Sequence, residues 1–353
     1  MTKIKIGISL GDINGVSAEV ILKTFSDKRI LELCTPIVYG SSSILAHYKK
    51  MVKIDLSYNS VKSVEQIEAT RLNVLNCWEE KVDITLGKPT KESGQCAIHA
   101  LDSATSDLGE QKIDALVTAP INKEAMKMAN FAFPGHTEYL SEKFAKKDSL
   151  MFLVNDGFRV GVVTGHIPLG KVVEHVRKEA ILGKIKLMNQ SLRVDFGIDR
   201  PKIAVLGLNP HASDNGVMGK EEEQIIRPAI IQAKKNGMLA MGPYAADGFF
   251  GSGLYRKFDG ILAMYHDQGL IPFKALSFNA GVNYTAGLDV VRTSPDHGTA
   301  YDIVGKNEAN PASFRKAVFT ALDIAKNRKL HEELNENKLE KRSKKLKQFE
   351  ERP

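Results

Sequence analysis

Cysteine is scarce in this 353-residue chain: Cys34, Cys77 and Cys96 lie far apart and form no CxxC pair. A disulfide framework and a clustered-thiol zinc site are thereby excluded, and a reducing, cytoplasmic setting with structural thiols is the simplest reading. Long apolar runs are also missing. Nothing approaches the ~20 residues that a membrane span requires, and the opening "MTKIKIGISLGD" runs directly into a strand pattern, not a signal peptide. Aromatic residues make up only 7% and no stripe interleaves them with basic residues, so the formal charge of +7 does not read as a nucleic-acid surface. It suits instead a site that concentrates small anions. The usual nucleotide loops are absent as well. "GISLGDINGVSAE" places Gly7, Gly11 and Gly15 at the wrong spacing for GxGxxG, and "LGKPTKES" lacks the upstream glycine and the order of a phosphate loop. There is no serine nucleophile elbow, internal repeat, low-complexity linker or Pro-rich hinge.

What is present is an alternation of short β-branched runs with amphipathic segments. Strands are predicted at "KIKIGISL" (3–10), "PIVYG" (36–40), "DALVTAP" (114–120), "LMFLV" (150–154), "RVGVVTG" (159–165), "KIAVLGL" (202–208) and "DGILAMY" (259–265). Between them lie helical patterns, with Ile98, Leu101 and Leu108 spaced on one and Ile225, Ile226, Ala229 and Ile230 on another. The second opens with acidic residues and closes on Lys-Lys-Asn-Gly, as helix polarity favours. This alternation specifies an α/β protein. The tail 329–353, over half charged, reads as a solvated terminal helix without a chemical role.

Three of the predicted strands run out in the same way, on His166, His211 and His266. Ligands in open α/β sheets bind beyond the carboxyl ends of strands, where side chains leave the core and converge. Their separations exclude a local zinc-finger site, so a shared metal requires tertiary assembly. Three neutral imidazoles with an open fourth position suit a catalytic divalent ion that polarises a substrate oxygen. His47, His99, His175 and His331 stand in helical or charged contexts and are expected to have no role. In "FPGHTEYL", His136 and Thr137 open a predicted helix, where Thr137 serves equally as a cap or as part of an anion seat. Arg292, inside the apolar run "LDVVRTSP", either pairs internally or receives a carboxylate or phosphate. The long polar loop 278–311, with Asn283 and "DHGTA", is a further candidate binding segment.

Taken together, "LGDINGVSAEV", "FPGHTEYL", "VTGHIPLGKV", "LNPHASDNGVMGKEE", "GPYAADGFF", "AMYHDQGLIPFK" and "VNYTAGLDVVRTSPDHGTAYDI" resemble the 4-hydroxythreonine-4-phosphate dehydrogenase family of pyridoxal phosphate biosynthesis, from about residue 3 to 328. The opening "GDINGVSAE" departs from the family pattern but keeps Gly11, Asp12, Gly15 and Glu19. The resemblance implies an isopropylmalate/isocitrate-dehydrogenase-like two-domain α/β fold with a non-Rossmann NAD site and an active site in the interdomain cleft. It suggests an NAD-binding domain of residues 1–130 plus 285–328 and a metal, substrate and dimerisation domain of residues 131–284. It also implies divalent metal (Zn, Mg or Co) on His166, His211 and His266, and substrate contacts from His136, Thr137, Lys274, Asn283 and Arg292. The segment that resembles the adenine-side loop implies NAD contacts from His297, Gly298, Thr299, Ala300 and Asp302. Lys274, Asp247 and Asp267 are the expected proton-handling or ligand-orienting residues. The implied assembly is a homodimer whose active site lies at the interface, with metal ligands from both subunits. The implied reaction is NAD-dependent oxidation of 4-phosphooxy-L-threonine to 2-amino-3-oxo-4-phosphooxybutanoate, followed by decarboxylation to 3-amino-2-oxopropyl phosphate. A related dehydrogenase acting on threonate or erythronate 4-phosphate is the alternative, and a metal-dependent hydrolase or aldolase is the rival from another class.

Overall fold

The computed structural model of the protein describes residues 3–277 and 280–336. Twelve strands are formed among them: β1 (Ile4–Ser9), β2 (Cys34–Gly40), β3 (Tyr58–Val61), β4 (Leu72–Asn76), β5 (Ala115–Thr118), β6 (Ala145–Asn155), β7 (Phe158–Val162), β8 (Lys202–Leu206), β9 (Leu239–Tyr244), β10 (Gly260–Ala263), β11 (Val282–Leu288) and β12 (Arg292–Pro295). They make one sheet in the order β3-β4-β2-β1-β5-β12-β11-β6-β7-β10-β8-β9. Each of the seven predicted strands is there. β1, β2, β5 and β10 are buried almost throughout, as expected of parallel strands covered by helices on both faces. No helix of the described residues is long and apolar enough to cross a membrane.

Direction is what matters for the site. From β3 to β12 all neighbours are parallel. Three antiparallel pairings follow, β12–β11, β11–β6 and β6–β7. An odd number of reversals leaves β7, β10, β8 and β9, parallel among themselves, running against the first block. The carboxyl ends of the two blocks therefore open on opposite edges of the sheet.

Helices cover the faces. Thr90 caps the helix Lys91–Gly109 through a reciprocal box with Ser93. Its buried stripe runs through Cys96, Ala97, Ala100, Leu101, Ala104 and Leu108, so small residues carry much of the contact and Ile98 is only half-buried. In the later helical pattern, a π-turn over Glu222–Ile226 leads into a helix Arg227–Lys235, which buries Ala229 and Ile230. The helix Ala312–Glu336 returns the chain to the first block, packing on β12 and β5. Thus 329–336 of the charged tail are helical, and 337–353 lie outside the described residues. Burial holds the thiols of Cys34 and Cys77 up to about 11 and that of Cys96 up to about 12, in keeping with structural roles.

Candidate active site

At the edge where β5 and β12 end, the chain gathers most of its expected anion-binding residues. Arg292 opens β12 and is 4% exposed. Its Nε and one terminal nitrogen donate to Thr118 Oγ1 at 3.1 and 2.7 Å, and the other terminal nitrogen donates to Thr137 Oγ1 at 3.5 Å. Its hydrogen-bond partners among the described residues are hydroxyls alone. Burial lowers the guanidinium only to about 10, so the charge persists at neutral pH without a bonded carboxylate. A buried cation so placed is an anion receptor. Thr137 lies inside the helix His136–Phe144 and receives Arg292 instead of capping the helix.

His136 is 9% exposed, and its Nε2 is buried with no partner. Burial, then the charge of Arg292, pushes this imidazole well below its ordinary range, so it is neutral. His297 Nδ1 lies 3.0 Å from the Gly298 carbonyl, which can only accept, so Nδ1 holds the proton. Its Nε2 is likewise buried and unpartnered. Both rings line a cavity of about 150 Å³ together with Thr118, Pro120 and Ser294. Nearby, Asn283 donates to the Pro295 carbonyl at 3.0 Å. Lys274 stands 3.5 Å from Asp296, whose carboxyl burial pushes upward. A second cavity, about 170 Å³ and mostly apolar, adjoins on the far side of His297, against Val16, Val20, Ala300 and Ile303. Of the expected NAD residues, His297 and Ala300 line it. Thr299 faces Gly15 instead, and Gly298 lines the first cavity.

The three strand-end histidines are on the other edge. His166 and His266 approach to 5.5 Å between ring centres. Two imidazoles sharing one tetrahedral cation at about 2.1 Å stand roughly 5 Å apart, so this pair fits a common ion. Asp267 Oδ1 lies 2.7 Å from His266 Nδ1, a contact that orients the ring and leaves Nε2 free to ligate. His211 does not join them within one chain. No group of three or more His, Cys, Asp or Glu able to hold a metal forms among the described residues. His211 begins a run of five left-handed residues, through Asn215, with φ from 44° to 66°. The run is anchored upstream by fully buried Glu222, which accepts from the backbone N–H groups of Leu208 (2.8 Å) and Asn209 (2.7 Å) and from the Asn209 side chain (2.9 Å). Asp247 is exposed in the first turn of the helix Ala246–Gly251. The helix His266–Ser277 runs from one edge to the other, His266 at its start and Lys274 near its end.

Thr118, Ser294, Asp296 and Glu222 carry much of this geometry, and sequence reasoning did not single them out. The signal for Glu222 was its place in an acidic run that also satisfies helix polarity, which hides a buried carboxylate among solvated ones.

An open α/β sheet with polar side chains converging where strands end, one of them an unpaired buried cation, defines the class: a strand-end small-molecule site. Comparison narrows it. The chain belongs to the family described as "Pyridoxal phosphate biosynthetic protein PdxA", which matches residues 32–321. A Bacteroides thetaiotaomicron protein named 4-hydroxythreonine-4-phosphate dehydrogenase is 51% identical over 340 residues, covering 96% of this chain and 93% of its own. One of the same name from Sulfurihydrogenibium is 41% identical, covering 92% of this chain and 100% of its own. The crystal structure of 4-hydroxythreonine-4-phosphate dehydrogenase from Klebsiella pneumoniae superposes with a TM-score of 0.81 at 33% identity, over 92% of this chain and 98% of that one.

Proposed function

We propose that the protein is a cytoplasmic, NAD-dependent and divalent-metal-requiring 4-hydroxythreonine-4-phosphate dehydrogenase. It oxidises the C3 hydroxyl of 4-phosphooxy-L-threonine, and the 2-amino-3-oxo acid then loses CO2 to leave 3-amino-2-oxopropyl phosphate. The observation that supports this reading is Arg292: a buried guanidinium met, among the described residues, by hydroxyls alone, beside two imidazoles with unpartnered buried Nε2 atoms, suits an anionic and hydrogen-bonding occupant. Family membership and the 51% identical relative favour the hydroxythreonine phosphate over threonate or erythronate 4-phosphate.

Each residue's part follows from its surroundings. Arg292 and Thr137 receive the phosphate or carboxylate, and Asn283 fixes its orientation. Neutral His136 accepts a hydrogen bond from the substrate without opposing Arg292 by charge. Lys274, half-exposed beside Asp296, holds an anionic group or returns a proton after CO2 leaves. Asp267 orients His266, and Asp247 stands as a second carboxylate for proton handling. His166, His211 and His266 would hold the divalent ion, which would supply acidification of the hydroxyl, and the cavity beside His297 would hold NAD, which would supply the hydride acceptor.

The working unit is a homodimer with the cleft shared between subunits. Along β7 the histidine edge and the anion edge of one chain are about 15 Å apart, and three strand spacings add a lateral ~14 Å. A four-carbon phosphate spans neither. What supports the partner's arrival is the apolar rim of the histidine edge: Leu169, Val217 and Ile271 are 71%, 78% and 65% exposed.

Purified protein with NAD and Mg, Zn or Co, offered 4-phosphooxy-L-threonine and the 4-phosphates of threonate and erythronate, tests the reading at the NADH absorbance. NADH and CO2 from the first substrate at the highest kcat/KM are expected. Greater turnover of threonate 4-phosphate, or no NADH with any metal, overturns it.

A further inference from the structure

The opening segment "GDINGVSAE" enters none of the chemistry above, yet it buries two carboxylates that face the segment 299–309, while its Asn14 and Ser17 side chains donate elsewhere, to the Lys88 and Pro120 carbonyls. Asp12 is 1% exposed. One of its oxygens accepts from the Asn14 backbone at 2.8 Å, and the other accepts from the Tyr301 hydroxyl. Glu19, fully buried, accepts from the Ala309 backbone N–H at 3.0 Å and pairs with Lys23 at 2.7 Å. Lys23 in turn donates to the carbonyls of Asn307 (3.0 Å) and Ala309 (2.9 Å). Between them the Val16 N–H donates to Thr299 at 3.0 Å. A Cβ on Gly15 would sit 2.8 Å from that same carbonyl oxygen, so the close approach needs glycine. Apart from the Asn14 bond and the Glu19–Lys23 pair, these bonds land on the segment 299–309.

Within itself the segment makes two turn bonds, from the Ile303 N–H to Ala300 at 3.2 Å and from the Lys306 N–H to Ile303 at 3.1 Å. Ala300 and Asn307 have φ of 45° and 60°, left-handed values that non-glycine residues adopt only when their surroundings impose them. The cavity beside His297 has one wall from this segment, Ala300, Ile303 and Ala309, and another from Val16 and Val20 next to the anchoring residues.

We propose that Asp12, through Tyr301, and Glu19, through Ala309, are positioning residues for the nicotinamide dinucleotide, fixing 299–309 in the shape that forms its pocket. This rests on the reading that NAD enters the cavity beside His297. Neither carboxylate touches the cofactor. Each acts by holding the segment that does.

The test compares NADH binding, followed by fluorescence titration of the full-length protein, with steady-state KM values for NAD and for 4-phosphooxy-L-threonine. Tyr301→Phe removes one hydroxyl from a half-exposed ring and leaves the fold in place, which thermal melting verifies. It is expected to raise the NADH Kd and the KM for NAD about tenfold, as loss of a charge-assisted hydrogen bond does. KM for the phosphorylated substrate is expected to stay within twofold. Asp12→Ala is expected to match it, and the double variant to be no worse than Asp12→Ala alone. Ile303→Trp, which fills the cavity, separates the two layers. If Ile303→Trp abolishes NADH binding while Tyr301→Phe leaves Kd and KM for NAD within twofold, the positioning proposal is wrong and the cavity assignment stands. If Ile303→Trp binds NADH as the parent does, the cavity assignment itself fails, and the proposal with it.

Discussion

Arg292 and Lys274 both bring positive charge to the neighbourhood of β12, and their surroundings separate their tasks. Lys274 has a carboxylate beside it and water on much of its surface, so removing substrate leaves it satisfied. Arg292 is desolvated and bonds only hydroxyls among the described residues, so its five donors are fully used only when an anion is present. Arg292→Lys keeps the charge and loses the planar fork. KM for the phosphorylated substrate is expected to rise tenfold or more with KM for NAD nearly constant, and an unchanged substrate KM removes Arg292 from the site. His136 gives a pH signature. Burial, reinforced by Arg292, disfavours its protonated form, so its folded pKa lies below the 6.5 of the ordinary side chain. Between those values the unfolded chain binds the additional proton. Stability therefore rises with pH across that window and falls on acidification below about 6.5. In thermal melts, the loss of Tm from about pH 7.5 to 5.5 is expected to be larger in the parent than in His136→Gln. Equal losses place the acid sensitivity elsewhere.

Between residue and molecule stand the loops that the strands deliver. The segment carrying His211 keeps five consecutive left-handed residues, each costing about 1–2 kcal/mol in an L-chain, and buried Glu222, farther along the chain, holds Leu208 and Asn209 just ahead of them. Glu222→Ala frees two backbone N–H groups and an amide, a loss of about 2–4 kcal/mol. Metal retained after desalting, read by mass spectrometry, is expected to fall several-fold while the circular dichroism spectrum persists. Full metal retention detaches the loop's geometry from ion binding. How much of this the sequence disclosed follows a physical divide. Strands such as "KIAVLGL" and "DGILAMY" announce themselves because burial on both faces demands unbroken apolar runs, and the histidines that follow them were legible for the same reason. β4 was not, because Asn73 breaks its apolar run just after the first residue. That side chain is fully buried but satisfied by the carbonyls of Glu68 and Arg71 and the N–H of Glu68, which no periodicity reveals. Thr118 as the partner of Arg292 was equally hidden, since the two are 174 positions apart.

For the whole molecule, the opposed blocks of the sheet bear on the proposed homodimer. If the histidine edge of one subunit serves the anion edge of its partner, two inactive variants complement each other. His166→Ala and Arg292→Ala homodimers, mixed and allowed to exchange, give half heterodimers, each with one intact site of two. About a quarter of parental activity is then expected in the assay. No recovery, with subunit exchange verified by native mass spectrometry, places both residues in one chain's site.

That arrangement also ties rate to abundance. If the site is shared as proposed, a chain whose two reactive edges face away from each other is expected to turn nothing over alone, and velocity per milligram to decline as the solution is diluted toward the subunit dissociation constant. Well below that constant, output should grow with the square of the protein present.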